Sequence, residues 1–142
     1  MHHIAYMTPT WKLIPKIVSG EKTIESRWYK TKRTPWNIVK AGDIIYLKNS
    51  GEPITAKAEV EKVIQYEMKD ISEIRKIIKL YGKEICIVNT KPETWKNIPK
   101  YCILMFLKNP TQVQPFTINK KGFGNAAAWI SIHNIADIKL PC

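Results

Sequence analysis

Eight consecutive residues, Gly20-Glu21-Lys22-Thr23-Ile24-Glu25-Ser26-Arg27, bring together a turn glycine, two cations and two carboxylates. On a strand, alternation places Thr23, Glu25 and Arg27 on one face and Ile24, Ser26 and Trp28 on the other. Glu25 and Arg27 then stand roughly 7 Å apart on the same side of a sheet. Such a pair supports two kinds of chemistry. In binding, Arg27 offers a planar fork to a phosphate or a base edge while Glu25 fixes its direction through a charge-assisted hydrogen bond. Glu25 can instead accept from an exocyclic amine. In catalysis, a Lys22 ammonium disfavoured by a nearby Arg27 becomes a base. Glu25 or Glu59 then shuttles the proton, and Ser50 or Ser131 supplies a hydroxyl. The plain structural reading is an ion pair that pins two strands.

Other residues extend the set. Lys48 and Ser50 leave an apolar strand on the same face as Ile44 and Tyr46. The loop Lys120-Lys121-Gly122-Phe123-Gly124-Asn125 is basic and flanked by glycines that let a ligand approach the backbone. Lys48, Lys120 and Lys121 widen a positive rim, and Trp36, Tyr46 and Phe123 are the rings that can stack on a base. Lys30, Lys32 and Arg33 interleave with Tyr29 and Trp36 in a segment that Pro35 keeps irregular. His2, His3 and His133 are scattered and receive no role. Asp43 reads as a turn residue. Cys86, Cys102 and Cys142 lie far apart, with no zinc spacing, so no metal and no cofactor is expected.

Positioning these groups takes a domain of ordinary size. The 142 residues suffice for one domain with a genuine core, spanning 1–142. Hydrophobic residues make up 44%, yet no stretch reaches the apolar length of a membrane span, and the N-terminus lacks signal-peptide character. A cytoplasmic location is expected. The net charge of +11, from 23 Lys and Arg against 12 Asp and Glu, attracts polyanions, nucleic acid above all. An AT-rich genome, which favours Lys and Ile codons, explains the same excess without a partner.

The elements follow from periodicity and punctuation. Ile4 and Tyr6 begin a strand. Thr8 or Thr10 caps a helix with Trp11, Ile14 and Val18 on one stripe, kinked at Pro15 and stopped by Gly20. The strand carrying Glu25 comes next. Ala41-Gly42-Asp43 turns into a strand over 44–50, and 54–63 alternates as a half-buried antiparallel strand. Asp70-Ile71-Ser72-Glu73 has capping-box spacing, opening a helix with Ile71, Ile74, Ile77, Ile78 and Tyr81 on one face and Gly82 as its stop. Its other side, with Arg75, Lys76, Lys79 and Lys83, faces solvent. A short helix is expected within 92–99, a central strand over 101–107, and a separate strand around Val113, Phe116 and Ile118, with Pro115 at an edge or bulge. The small residues Ala126, Ala127 and Ala128 before Trp129 predict tight packing or a cavity wall. Ile135 and Ile138 mark a last strand. The sum is six or so strands with two or three helices, an α+β domain on a small curved sheet or barrel.

The opening stretch resembles the Gly-x-Lys-x-x-Glu-x-Arg signature of ASCH domains, which belong to the PUA-like superfamily. Ala41-Gly42-Asp43 and the segment from Phe123-Gly124 to Trp129-Ile130 resemble the same family, so the likeness spans nearly the whole chain, with 70–100 its most individual part. The resemblance implies a small PUA-like mixed β-barrel flanked by two or three helices, with the signature's polar residues in a cleft beside it. It implies binding of single-stranded RNA, or of a nucleotide or nucleoside, in RNA metabolism. The alternative it implies is a hydrolase, an amidohydrolase on a modified nucleoside or a ribonuclease, using Lys22 and Glu25. In the amidohydrolase branch the signature lysine is matched by Lys22, but its partner threonine falls at Glu25, a departure that counts against that activity. No membrane and no metal partner is implied, and the oligomeric state is left open.

Overall fold

The structure, a computed structural model, describes residues 1–87, 90–124 and 127–141. Asn125 and Ala126, at the end of the glycine-flanked loop and the start of the alanine run, lie outside the described residues, as does Cys142.

Six strands form one sheet: β1 (His2–Met7), β2 (Ile24–Tyr29), β3 (Ile44–Asn49), β4 (Ile54–Glu67), β5 (Tyr101–Phe116) and β6 (Trp129–Ile132). Their order is β2-β5-β4-β3-β1-β6, with β1 parallel to β3 and every other pair antiparallel. The register of β4 slips between Ile54 and Ala56, between Lys57 and Glu59 and between Val60 and Lys62 against β5, and again opposite Leu47 and Lys48 of β3. Each slip adds local twist, and together they curl the sheet into a half-barrel with β2 and β6 as its open edges.

Period-two alternation decides what each face buries. Ala5, Met7, Ile45, Leu47, Ala58, Val60, Ile103 and Met105 fill the concave side, where α1 (Leu13–Ser19) inserts Ile14 and Ile17. On the convex side, α2 (Ile71–Ile85) lays Ile74, Ile77 and Ile85 over Ile24, Cys102 and Leu104. A third cluster, Ile4, Tyr46, Ile54, Ile118 and Ile130, is closed by the 3-10 turn Ile135–Asp137. Ile135 and Ile138 therefore belong to a turn and its exit; the strand at that end of the chain is β6.

The helices match their sequence signals at the starts better than at the stops. Gly20 ends α1 with φ of 85°, a conformation that costs glycine nothing. Trp11, expected on the stripe of α1, lies instead in a 3-10 turn ahead of it, Pro9–Trp11, and is 64% exposed. Asp70 caps α2 by accepting from the Glu73 amide at 3.3 Å, and Glu73 reaches back to the Lys69 amide. Asp70→Ala is expected to lower the urea midpoint and to speed amide exchange in the first turn of α2, with no change to the sheet. Gly82 does not stop α2, which continues to Ile85 and ends at Cys86. The chain turns back there, with the Ile87 amide donating to Gly82 O at 2.8 Å, and a side chain at 82 would press on Ile78 at 3.3 Å.

β5 is one strand of 16 residues where two were expected. Pairing with β2 stops at Phe106, so beyond it β5 is flanked by β4 alone. Pro110 and Pro115 fall in that unflanked half, where a missing N–H is tolerated. Between Pro92 and Pro99 only the 3-10 turn Pro92–Thr94 forms.

Candidate functional site

β2 sits at the sheet edge, so its concave-facing side chains cross open space toward the other edge. Glu25, Arg27 and Tyr29 are those side chains, because Ile24 and Trp28 are claimed by the apolar cluster under α2. Arg27 spans the gap. Its Nη2 donates to Tyr6 O at 3.1 Å and its Nη1 to Ala128 O at 3.2 Å, and its guanidinium carbon lies 5.0 Å from the centre of the Trp129 ring. The fork expected to meet a ligand thus clasps backbone carbonyls across the open side of the half-barrel.

Glu25 stands between two cations. Its Oε1 accepts from the Ser26 amide at 2.8 Å and lies 3.8 Å from Lys22 Nζ; its Oε2 lies 3.6 Å from Arg27 Nη2. The side chain is only 4% exposed, and Oε2 has no hydrogen-bond partner among the described residues. A buried carboxylate oxygen with an unused acceptor site is costly unless something meets it. Lys22 is 2% exposed and donates from Nζ to Ile85 O at 2.6 Å. Burial pushes its ammonium below the usual lysine range, and the Glu25 carboxylate pulls the other way.

Two adjoining hollows open over this row. The first, of about 620 Å³, has Glu25 and Arg27 on its floor and Tyr6, Ser50 and Lys120 around it. The second, of about 590 Å³, is lined by Lys22 and Trp95. Trp11, Leu13, Glu25, Ser26 and Trp28 line both, so they form one groove with Trp11 at the partition. The Ser26 hydroxyl is engaged by Trp28 Nε1 at 2.9 Å.

Of the residues singled out in the sequence, Glu25, Arg27, Ser50 and Lys120 share the first hollow and Lys22 lies in the second. Lys121 joins Lys120 and Tyr6 in a smaller recess, and Lys48 lines another that shares Lys120. Three rings are elsewhere. Trp36 packs edge-on against Tyr101 at 5.1 Å; Tyr46 is buried on the convex face between His2 and Phe116; Phe123 packs on the same cluster. Glu59 accepts from Asn109 Nδ2 at 2.9 Å, outside the groove. The rings that do line the groove are Tyr6, Trp11, Trp28, Tyr29 and Trp95. The sequence signal for Trp11 was the pair Pro9 and Thr10 before it, which favours a tight turn over a regular helix.

A second polar row was missed. His3, fully buried, meets Asp43 Oδ2 through Nε2 at 2.7 Å and Ser131 Oγ through Nδ1 at 2.8 Å, and Trp129 Nε1 approaches the same Nδ1 at 3.2 Å. Asp43 is therefore more than a turn residue, and His3 has a role. The order Asp, His, Ser resembles a nucleophilic triad, but the imidazole is sealed and borders none of the described hollows. It ties β1, the start of β3 and β6 together. Burial pushes the His3 imidazole down from its ordinary 6.5, and its hydrogen bond to Asp43 opposes this.

Among the described residues no group of His, Cys, Asp or Glu could hold a metal ion, and no helix is long and apolar enough to cross a membrane. By sequence the chain matches no protein-family model and no curated protein. By structure it matches the crystal structure of ASCH from Zymomonas mobilis, with a TM-score of 0.64 over 93% of this chain and 87% of that one. The chain has the ASCH fold. A serine-to-alanine variant of the Zymomonas mobilis protein gives a TM-score of 0.66 over 96% of this chain and 91% of that one. A hypothetical protein of known structure, covered completely, gives 0.52 over 78% of this chain. Identities are 15%, 16% and 17%, so the likeness is one of fold. The six-stranded curled sheet with its two helices agrees with the α+β, PUA-like architecture expected from the sequence. Within the ASCH fold, the stretch from Gly20 to Arg27 supplies the row that spans the open side of the half-barrel.

Proposed function

We propose that this protein binds single-stranded RNA, or a nucleotide, in the groove beside its half-barrel, and acts in RNA metabolism in the cytoplasm. The observation that carries the reading is Glu25 Oε2, a buried carboxylate oxygen without a hydrogen-bond partner on the floor of an open groove. It suits the amine or imino hydrogens of a base edge. Trp11, at the partition and largely exposed, offers its face for stacking. Lys120 at the rim and the net charge of +11 suit phosphates. The free thiols of Cys86 and Cys102 fit a reducing compartment. Catalysis by Lys22 would require its ammonium to leave Ile85 O, so binding is the reading the geometry favours.

Trp11→Ala tests the reading without touching the core. Titrating a labelled single-stranded RNA by fluorescence anisotropy is expected to show a loss of about 1–3 kcal/mol in binding, roughly 5- to 150-fold. Glu25→Gln, which keeps the shape but not the charge, is expected to weaken binding at least about tenfold. Absence of RNA binding by the unaltered protein at low ionic strength, or binding that neither change affects, overturns the reading.

A further inference from the structure

Among the described residues, Lys48 is a buried cation that forms no ion pair. It stands on β3 beside Tyr6, its register partner on β1, and is 3% exposed. Its ammonium lies 4.7 Å from the centre of the Tyr6 ring and, among the described residues, donates to a single acceptor, Asn49 O, at 3.4 Å. No ion pair forms at it among the described residues. Lys22, equally buried, has both a short hydrogen bond and Glu25. Lys48 has instead a second cation nearby: Lys120 Nζ lies 5.9 Å from the same ring. Burial, and then the charge of Lys120, push the Lys48 ammonium below the usual lysine range, while the Glu52 carboxylate pulls the other way.

Two cations around one ring, one of them buried with most of its donors unused, are arranged for an anion. We propose that Lys48 and Lys120 form a phosphate subsite at the Tyr6 end of the groove. A recess of about 170 Å³ opens on both lysines, on Gly51 and on Thr117. That is room for several waters, hence for a tetrahedral anion. Glu52 lines it too and is the group that opposes an anion there, but its Oε1 is turned to Asn49 Nδ2 at 3.5 Å. Gly51 and Lys120 line the large hollow as well, so the recess continues the groove that holds Glu25. The occupant is a phosphodiester of the strand whose base meets Glu25, and to that extent the inference rests on the RNA reading of the groove.

The test compares a short single-stranded RNA carrying no terminal phosphates with the corresponding uncharged nucleoside, on the unaltered protein and on Lys48→Met. Methionine fills the same space without the charge. The RNA Kd is expected to rise about 5- to 10-fold at 0.1 M salt. The slope of log K against log salt should become shallower by about 0.7, one phosphate contact of a single strand. Nucleoside binding should stay unchanged. The thermal midpoint should rise, because a buried unpaired charge has gone. Lys120→Ala should shift the slope in the same direction. If RNA and nucleoside bind and the slope is unaltered, the subsite is wrong while the groove reading stands. A lowered thermal midpoint in Lys48→Met assigns Lys48 to the scaffold and also overturns the subsite. If neither ligand binds the unaltered protein, the groove reading fails; inorganic phosphate that then raises the thermal midpoint of the unaltered protein but not of Lys48→Met leaves the subsite standing alone.

Discussion

Arg27→Met is expected to cost the fold about 3–5 kcal/mol. The guanidinium holds Tyr6 O and Ala128 O across the open side of the half-barrel, and it is one of two cations facing a buried carboxylate. Methionine removes the clasp and leaves Glu25 with Lys22 alone, at 3.8 Å and already engaged with Ile85 O. Most of the cost comes from the stranded charge, so the double change Arg27→Met with Glu25→Gln should recover part of it. Arg27→Lys should recover less than an isosteric argument suggests, because one ammonium cannot serve two carbonyls in the plane of a fork. Urea unfolding followed by tryptophan fluorescence reads all three. A loss under about 0.5 kcal/mol, the size of an ordinary surface change, contradicts the clasp.

The second large effect is acid sensitivity through His3. With its proton on Nε2 toward Asp43, His3 accepts at Nδ1 from Ser131 and Trp129. Protonating Nδ1 sets N–H against the Trp129 N–H inside a sealed site. Burial lowers the imidazole; the Met1 amino group and His2 push the same way, while the hydrogen bond and charge of Asp43 push back. A group lowered in the folded state binds fewer protons there than in the unfolded chain. Its stability is therefore fully present above the unfolded value of 6.5 and is lost as pH falls through the lower folded value. Each unit of lowering is worth about 1.4 kcal/mol. Asp43, desolvated but held below its ordinary 3.8 by hydrogen bonds from His3 and the Lys40 amide, adds a second loss at lower pH with the same sign. Urea midpoints from pH 8 to 4 should fall first below pH 6.5, and His3→Gln should remove that limb while lowering stability at pH 8. A flat profile between pH 7 and 5 contradicts the neutral, buried imidazole.

The parts of this fold that were legible in the sequence are local. Alternation over 24–28 put Glu25 and Arg27 on one face and Ile24 and Trp28 on the other, and both faces are as read. Asp70 and Glu73 announced the start of α2 because capping chemistry needs only four residues. The misses are mostly pairings across long separations, with Trp11 and Gly82 the local exceptions. A proline is excluded from a central strand but not from one that has lost a neighbour, and only the register with β2 shows where β5 loses it. Gly82 reads as a helix stop until Ile87 is seen folding back on it. Arg27 reads as a planar fork, but nothing local shows that Tyr6 and Ala128 present their carbonyls to it from 21 and 101 positions away. His3 and Ser131 meet across 128 positions, and no spacing rule joins them. The acceptor character of Glu25, whose Oε2 has no hydrogen-bond partner among the described residues, was legible from residue type and strand phase alone.

The central claim is that the groove floored by Glu25 receives single-stranded RNA. Mapping amide chemical-shift changes on the labelled protein during titration with a short single-stranded RNA tests it most directly. The account predicts the largest shifts at Trp11, Ser26, Arg27, Ser50 and Gly51, around one groove. Shifts confined to the basic outer side of α2, at Arg75, Lys76, Lys79 and Lys83, would contradict it.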